Sequence, residues 1–197
     1  MNTTIPTNWI ILFGILAVIL LAVAVGFISQ RQQQSKRLRQ RFGAEYDRAV
    51  AELGRTKAEA ELKAREKRVE KLTIIPLAPA DAARFTQAWN ALQGRFIDNP
   101  KGVVVEADHL VRELMLKRGY PMGDFERRAA DISVDHPAVV ENYRAAQVIA
   151  VRDERGEADT EELRKAVVHY RTLFDELLGE RPAKRVESPA GQIPVHS

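Results

Sequence analysis

Asp159-Thr160-Glu161-Glu162-Leu163-Arg164-Lys165-Ala166-Val167-Val168-His169-Tyr170-Arg171-Thr172-Leu173-Phe174-Asp175-Glu176-Leu177 is the stretch whose period decides the fold class. Leu163, Val167, Tyr170, Phe174 and Leu177 recur at steps of three and four, which puts them on one face of an α-helix. Asp159 and Glu162 have the spacing of a capping box, in which two side chains satisfy backbone N–H groups of the first turn. Gly179 ends the run.

The same period recurs upstream. Phe85, Ala88, Trp89, Leu92 and Phe96 form a stripe that stops at Asp98-Asn99-Pro100. A helix from about Lys101 to Arg118 buries Val104, Ala107, Val111 and Leu114 and ends on Gly119, ahead of Tyr120-Pro121. Asp124 is placed to cap a short helix with Phe125, Ala129 and Ile132. Asp135 or His136, before Pro137, opens another, whose contact face is Val139, Val140, Tyr143 and Ala146 or Gln147. No strand-like alternation of useful length is present. The expectation is an all-α domain over residues 73–179, a bundle of about four to five helices. It begins where Ile74-Ile75-Pro76-Leu77-Ala78-Pro79 breaks the helical pattern. Residues 180–197, without apolar period, read as a disordered tail.

Near the N-terminus the pattern is of another kind. Trp9 to Ile28 contains no charged residue, and twenty helical residues span ~30 Å, the hydrocarbon thickness of a bilayer. Trp9 sits at one edge, where an indole keeps its N–H among headgroups. A cleaved signal is the competing reading, since Ala22-Val23-Ala24 offers small residues. Residues 1–8 hold no Lys or Arg, however, and the apolar run continues past that point. Residues 9–28 are therefore expected to span a membrane once. Arg31, Lys36, Arg37, Arg39 and Arg41 follow the span and nothing basic precedes it, which predicts residues 1–8 outside and the domain in the cytoplasm. These five are first a topology signal. They are also candidates for contact with anionic lipid, at ~1 kcal/mol each.

Residues 29–72 read as a basic stalk. Phe42, Tyr46, Ala49, Val50 and Leu53 keep helical spacing, and Glu59 with Lys63 and Glu61 with Arg65 stand four apart on one face. The expectation is one charged helix over 35–72, weakened at Gly43 and Gly54, forming a spacer arm ~50 Å long. Apolar heptads do not persist in it. Residues 31–72 carry 13 basic and 7 acidic groups, whereas residues 73–180 carry 14 and 19. The basic excess belongs to the stalk; a nucleic-acid partner is not expected, contact of residues 31–72 with DNA near the membrane being a third reading.

The chain has no cysteine, which excludes disulfides, thiolate metal sites and cysteine nucleophiles. Glycine-rich phosphate loops and His-Glu-x-x-His are missing, which argues against an enzyme. Glu106-x-x-His109 has the spacing of a di-metal bundle motif but no second copy. Asp135-His136 reads as helix capping, and Tyr143-Arg144 and Tyr170-Arg171 as core tyrosines with arginines reaching solvent or a nearby acid. No cofactor or metal ligand is assigned. The expected function is a membrane-anchored binding or scaffold protein with a protein partner, self-association being open. Its candidate interaction surface is Arg128, Asp131, Asp135, His136, Tyr143, Arg144, His169 and Arg171, around the turn-rich segment from Gly119 to Pro137. The second reading is an enzyme or metal protein using His109, His136 or His169.

Several words of sequence carry a resemblance: Arg41-Phe42-Gly43-x-Glu45-Tyr46-Asp47, Gly119-Tyr120-Pro121, Phe125-Glu126-x-Arg128-Ala129-Ala130-Asp131, Ser133-Val134-Asp135-His136-Pro137 and His169-Tyr170-Arg171-x-Leu173-Phe174. Over residues 36–179 the chain resembles a bacterial family of small proteins of uncharacterised activity, whose members often carry an N-terminal membrane helix. The resemblance implies bacterial origin and nothing mechanistic.

Overall fold

Helices and loops make up all of the described residues, and no strand occurs among them. The structure is a computed structural model that describes residues 7–179, with side chains in the first helix from residue 16 onward, 17 and 24 excepted. The elements are α1 (Thr7–Phe42), α2 (Ala44–Leu53), α3 (Arg55–Val69), α4 (Pro79–Gly94), α5 (Pro100–Lys117), α6 (Phe125–Asp135), α7 (Val140–Glu154) and α8 (Thr160–Gly179). The all-α class read from the sequence is the class observed. Two compact units divide the chain between Leu62 and Lys63, inside α3. The tail expected at 180–197 and residues 1–6 of the outer segment lie outside the described residues.

In the first unit the single stalk helix is replaced by three helices. Gly43 (φ 53°) and Gly54 (φ 74°) take left-handed backbone conformations, which glycine adopts without the Cβ penalty other residues meet. Each ends one helix and redirects the next. Ser35 Oγ hydrogen-bonds Glu59 Oε1 at 2.5 Å, and Tyr46 Oη donates to the same oxygen at 3.0 Å. In one straight helix Ser35 and Glu59 would stand ~36 Å apart, so the chain has folded back on itself. Leu38, Phe42, Tyr46, Ala49, Ala58 and Leu62 are buried. The extended arm expected from the sequence is thus corrected to a folded-back segment, because two glycines outweigh the helical propensity around them.

Among the described residues no helix is long and apolar enough to cross a membrane. The anchor expected at 9–28 lies partly outside those residues, since the side chains of 9–15, 17 and 24 are not described, while its backbone belongs throughout to α1.

The second unit is built around α8, which packs against α5 and α7; α4 lies on α5, and α6 on α7. Leu163, Ala166, Val167, Tyr170, Leu173, Phe174 and Leu177 are its buried stripe, and Trp89 stacks on Phe174 with ring centroids 4.6 Å apart. Each such large side chain, fully buried, contributes ~1.5–3 kcal/mol. The capping box forms: Glu162 N–H donates to Asp159 Oδ1 at 2.7 Å, and Asp159 N–H to Glu162 Oε2 at 3.0 Å. Asn99 and Asp124 cap α5 and α6 in the same way, accepting from Gly102 N and Arg127 N. The cap expected at Asp135 or His136 does not form. Asp135 is the last residue of α6, and α7 starts after Val139 with no side-chain cap.

Candidate functional site

Residues 109, 112, 113 and 116 share one face of α5, turned away from the face that enters the core. His109, Arg112, Glu113 and Leu116 form one wall of a groove of about 310 Å³; Met122 and Gly123 of the following loop and Arg128 of α6 complete it. The positions follow from the local fold. Gly119 stops α5 at φ 96°, and the Asp124 cap starts α6, so the short loop between them is held at both ends.

Behind the groove lies a layer of aromatic and charged groups. Arg128 donates from Nε to Tyr143 Oη at 3.0 Å and from Nη1 to the Gly123 carbonyl at 2.5 Å. Tyr143 is fully buried, 4.8 Å from the Phe125 ring and edge-on to Tyr170 at 6.3 Å. Burial raises the Tyr143 phenol pKa, opposed by the hydrogen bond from Arg128. Burial and then the Asp108 carboxylate raise that of Tyr170 strongly. The Tyr170 hydroxyl and Asp108 Oδ1 are both buried and make no hydrogen bond of ordinary geometry.

Of the charged side chains that line the groove, Arg112 and Glu113 have partners of opposite charge and Arg128 has none among the described residues. Arg112 Nε lies 2.9 Å from Asp108 Oδ2, and Arg84 Nη2 3.0 Å from Glu113 Oε1. Asp124 spends an oxygen on its cap. Arg128 has no carboxylate partner among the described residues; its two bonds go to neutral oxygens. The arrangement is a half-buried guanidinium, fixed in orientation, with free donors at the edge of a groove that also has apolar walls.

Of the eight residues expected to form an interaction surface, Asp131, His136, Tyr143 and Arg144 are buried. Arg128 and Tyr143 meet directly, the second wholly inside the core. Asp131 is buried, 2.8 Å from Arg68 Nε. Asp135 accepts from Tyr120 Oη at 2.9 Å. His136 is 1 % exposed, with Nδ1 3.4 Å from Glu176 Oε1. Arg144 pairs with Glu126 at 2.7 Å, and His169 Nδ1 lies 2.8 Å from Asn142 Oδ1. Arg171 pairs with Asp175 at 2.7 Å, donates to Gln93 and sits over Trp89. These are mostly contacts that hold helices together.

Sequence reasoning passed over Arg112, Glu113, Leu116 and Met122, and weighed His109 as a metal ligand or a member of an enzyme site. The signal was present in the polar face of α5, opposite Val104, Ala107, Val111 and Leu114. His109, His136 and His169 each have different surroundings, Glu106 bonds Arg95 at 2.9 Å, and the described residues contain no group of three or more side chains that could hold a metal. In the stalk, all five basic residues are exposed. Arg39 pairs with Asp47 at 3.2 Å, whereas Arg31, Lys36 and Arg37 have no acidic partner among the described residues. Compared with known proteins, the chain matches no family model, no curated protein and no solved structure.

Proposed function

We propose that the chain is a single-pass protein of a bacterial cell membrane that holds a helical binding or scaffold domain against the cytoplasmic face, for a protein partner. What carries the reading is the surface of α1. Leu16, Val18, Ile19, Leu20, Leu21, Val23, Val25, Phe27 and Ile28 are all exposed. At about 100° per residue their directions run right round the helix. A helix lying flat on a membrane, or packed as a surface helix, would show such residues on one side only; an all-round apolar surface suits a solvent that is itself apolar. Arg31, Lys36 and Arg37 follow, at well-separated angles rather than in a stripe, so that they form a collar at headgroup level. Arg31 also stacks over Phe27, 4.6 Å from the ring centroid.

Orientation rests on the collar. Basic residues flank only the C-terminal end of the run, and basic flanks stay in the cytoplasm. The experiment is a reporter enzyme, active only outside the cytoplasm, fused after Gly179. It should be silent, and membranes washed at alkaline pH should retain the protein. An active fusion overturns the orientation, and release by the wash overturns the span. Crosslinking in cells should capture a second protein; recovery of nothing but the chain itself would count against the scaffold role.

A further inference from the structure

We propose that the groove between α5 and α6 binds a single carboxylate carried on a short apolar group. The inference does not depend on the anchor, since every residue it uses lies in the second unit.

Four features argue for this ligand. First, charge: among the lining side chains Arg112 is matched by Asp108 and Glu113 by Arg84, and Arg128 is the cation that forms no ion pair. One unmatched cation suits a monoanion better than a phosphate dianion. Second, shape: a guanidinium presents planar paired donors that fit the two oxygens of a carboxylate. Tyr143 Oη and the Gly123 carbonyl hold Nε and Nη1, so the group meets its ligand already oriented, and little side-chain entropy remains to be lost. Third, Leu116 and Met122 are exposed apolar groups beside it, 58 % and 40 % accessible. Methionine adapts its shape to irregular apolar partners. Fourth, about 310 Å³ falls at the lower end of the range for small-ligand sites.

Such a carboxylate could come from a free small acid or from the C-terminal residue of a peptide. The test uses the full chain in detergent micelles, labelled with ¹³C at the methionine methyls. Met122 lines the groove, and Met115, fully buried in the core, reports on folding. The probes are 4-methylpentanoate, the peptide Gly-Gly-Leu, and the amide of each. Saturable movement of the Met122 methyl by either acid, with its amide weaker by about tenfold or more, is the expected result. Binding of the free acid alone assigns a small-molecule source, and tighter binding of the peptide assigns a C-terminus. Arg128→Gln should weaken the acids by a similar factor. Because that change also removes the bond to Tyr143, Leu116→Glu serves as a second variant. It sits on an exposed lip where folding is not at stake, and it should repel both acids. The proposal is overturned if neither acid moves Met122, if amides bind as well as acids, if Leu116→Glu leaves binding unchanged, or if inorganic phosphate displaces the acids on equal terms.

Discussion

The Tyr143 hydroxyl accepts the Nε–H of Arg128 at 3.0 Å, while the Tyr170 hydroxyl, in the ring packed edge-on against it, makes no hydrogen bond of ordinary geometry and interacts with the Asp108 carboxylate. Two tyrosines one contact apart, both with fully buried rings, therefore differ in what their hydroxyls contribute. Tyr143→Phe strands a half-buried donor on Arg128 and should cost ~1–3 kcal/mol. Tyr170→Phe removes a hydroxyl whose interaction with Asp108 falls outside ordinary hydrogen-bond geometry, and should cost less than Tyr143→Phe. Urea unfolding of the full chain in detergent, followed by helical circular dichroism, compares them. Equal losses would contradict the assigned bonding.

The same pair predicts an alkaline limit to stability. Both phenols have pKa values raised above the ordinary 10.0, principally by burial. Below about pH 10 they are neutral in folded and unfolded chains alike, and their contribution is fully present. Above it the unfolded chain sheds protons that the folded chain keeps, so stability falls by about 1.4 kcal/mol per pH unit for each tyrosine. Absorbance at 295 nm should show these two phenols ionising together with the loss of helix, and each single Phe variant should remove one share of the slope. Ionisation of both while the helices remain intact would refute this.

Asp131 and Arg68 should behave as one unit. The carboxylate side chain is 1 % exposed and the guanidinium 22 %. Asp131→Ala leaves the arginine without its acid and should cost ~3 kcal/mol, near the lower end for breaking a buried pair because Arg68 keeps some contact with water. Replacing both, as Arg68→Met with Asp131→Ala, should cost clearly less than the sum of the two single changes. Additive losses in a double-mutant cycle would show that the pair is not coupled.

Much of the second unit was legible because its signals are local. The stripe from Leu163 to Leu177, the Asp159–Glu162 box and the Asp124 cap each need only a few neighbouring residues, and each appears as the spacing predicts. The path of the stalk was not legible. Gly43 and Gly54 were visible as weak points, but whether a helix bends there depends on what Ser35, Tyr46 and Glu59 find across the bend. The candidate surface fared similarly: Asp131 and His136 look like exposed chemistry in a turn-rich stretch, and only tertiary packing turns them inward. The groove was hidden for the same reason, since Met122 and Arg128 join the α5 face only through the loop after Gly119.

Gly119 should be far less replaceable than Gly54, although both have positive φ, 96° and 74°. A Cβ on Gly119 would lie 2.4 Å from the Thr73 carbonyl oxygen, whereas one on Gly54 meets nothing within 4 Å. Gly54→Ala carries only the strain of a backbone region (φ 74°, ψ 154°) that is essentially glycine's own, ~1–3 kcal/mol. Gly119→Ala adds a clash with main chain that cannot swing aside, for a total on the order of 3–4 kcal/mol. Thermal unfolding of the two variants decides the point, and equal shifts would mean that the segment at Thr73 is not packed against this turn.

The last prediction concerns the folded-back first unit, whose two competing geometries differ widely in length. Spin labels at Gln33 and Ala60 would stand about 40 Å apart along one continuous helix. The bonds from Ser35 and Tyr46 to Glu59 bring the chain back on itself, so pulsed electron resonance on the full chain should give a far shorter distance. Glu59→Ala removes the acceptor shared by both hydroxyls and should broaden that distribution toward longer values. Glu59→Gln keeps an acceptor oxygen and should hold it near the original. A sharp peak near the straight-helix distance in the unaltered chain would restore the extended arm, and with it the sequence-based expectation for residues 35–72.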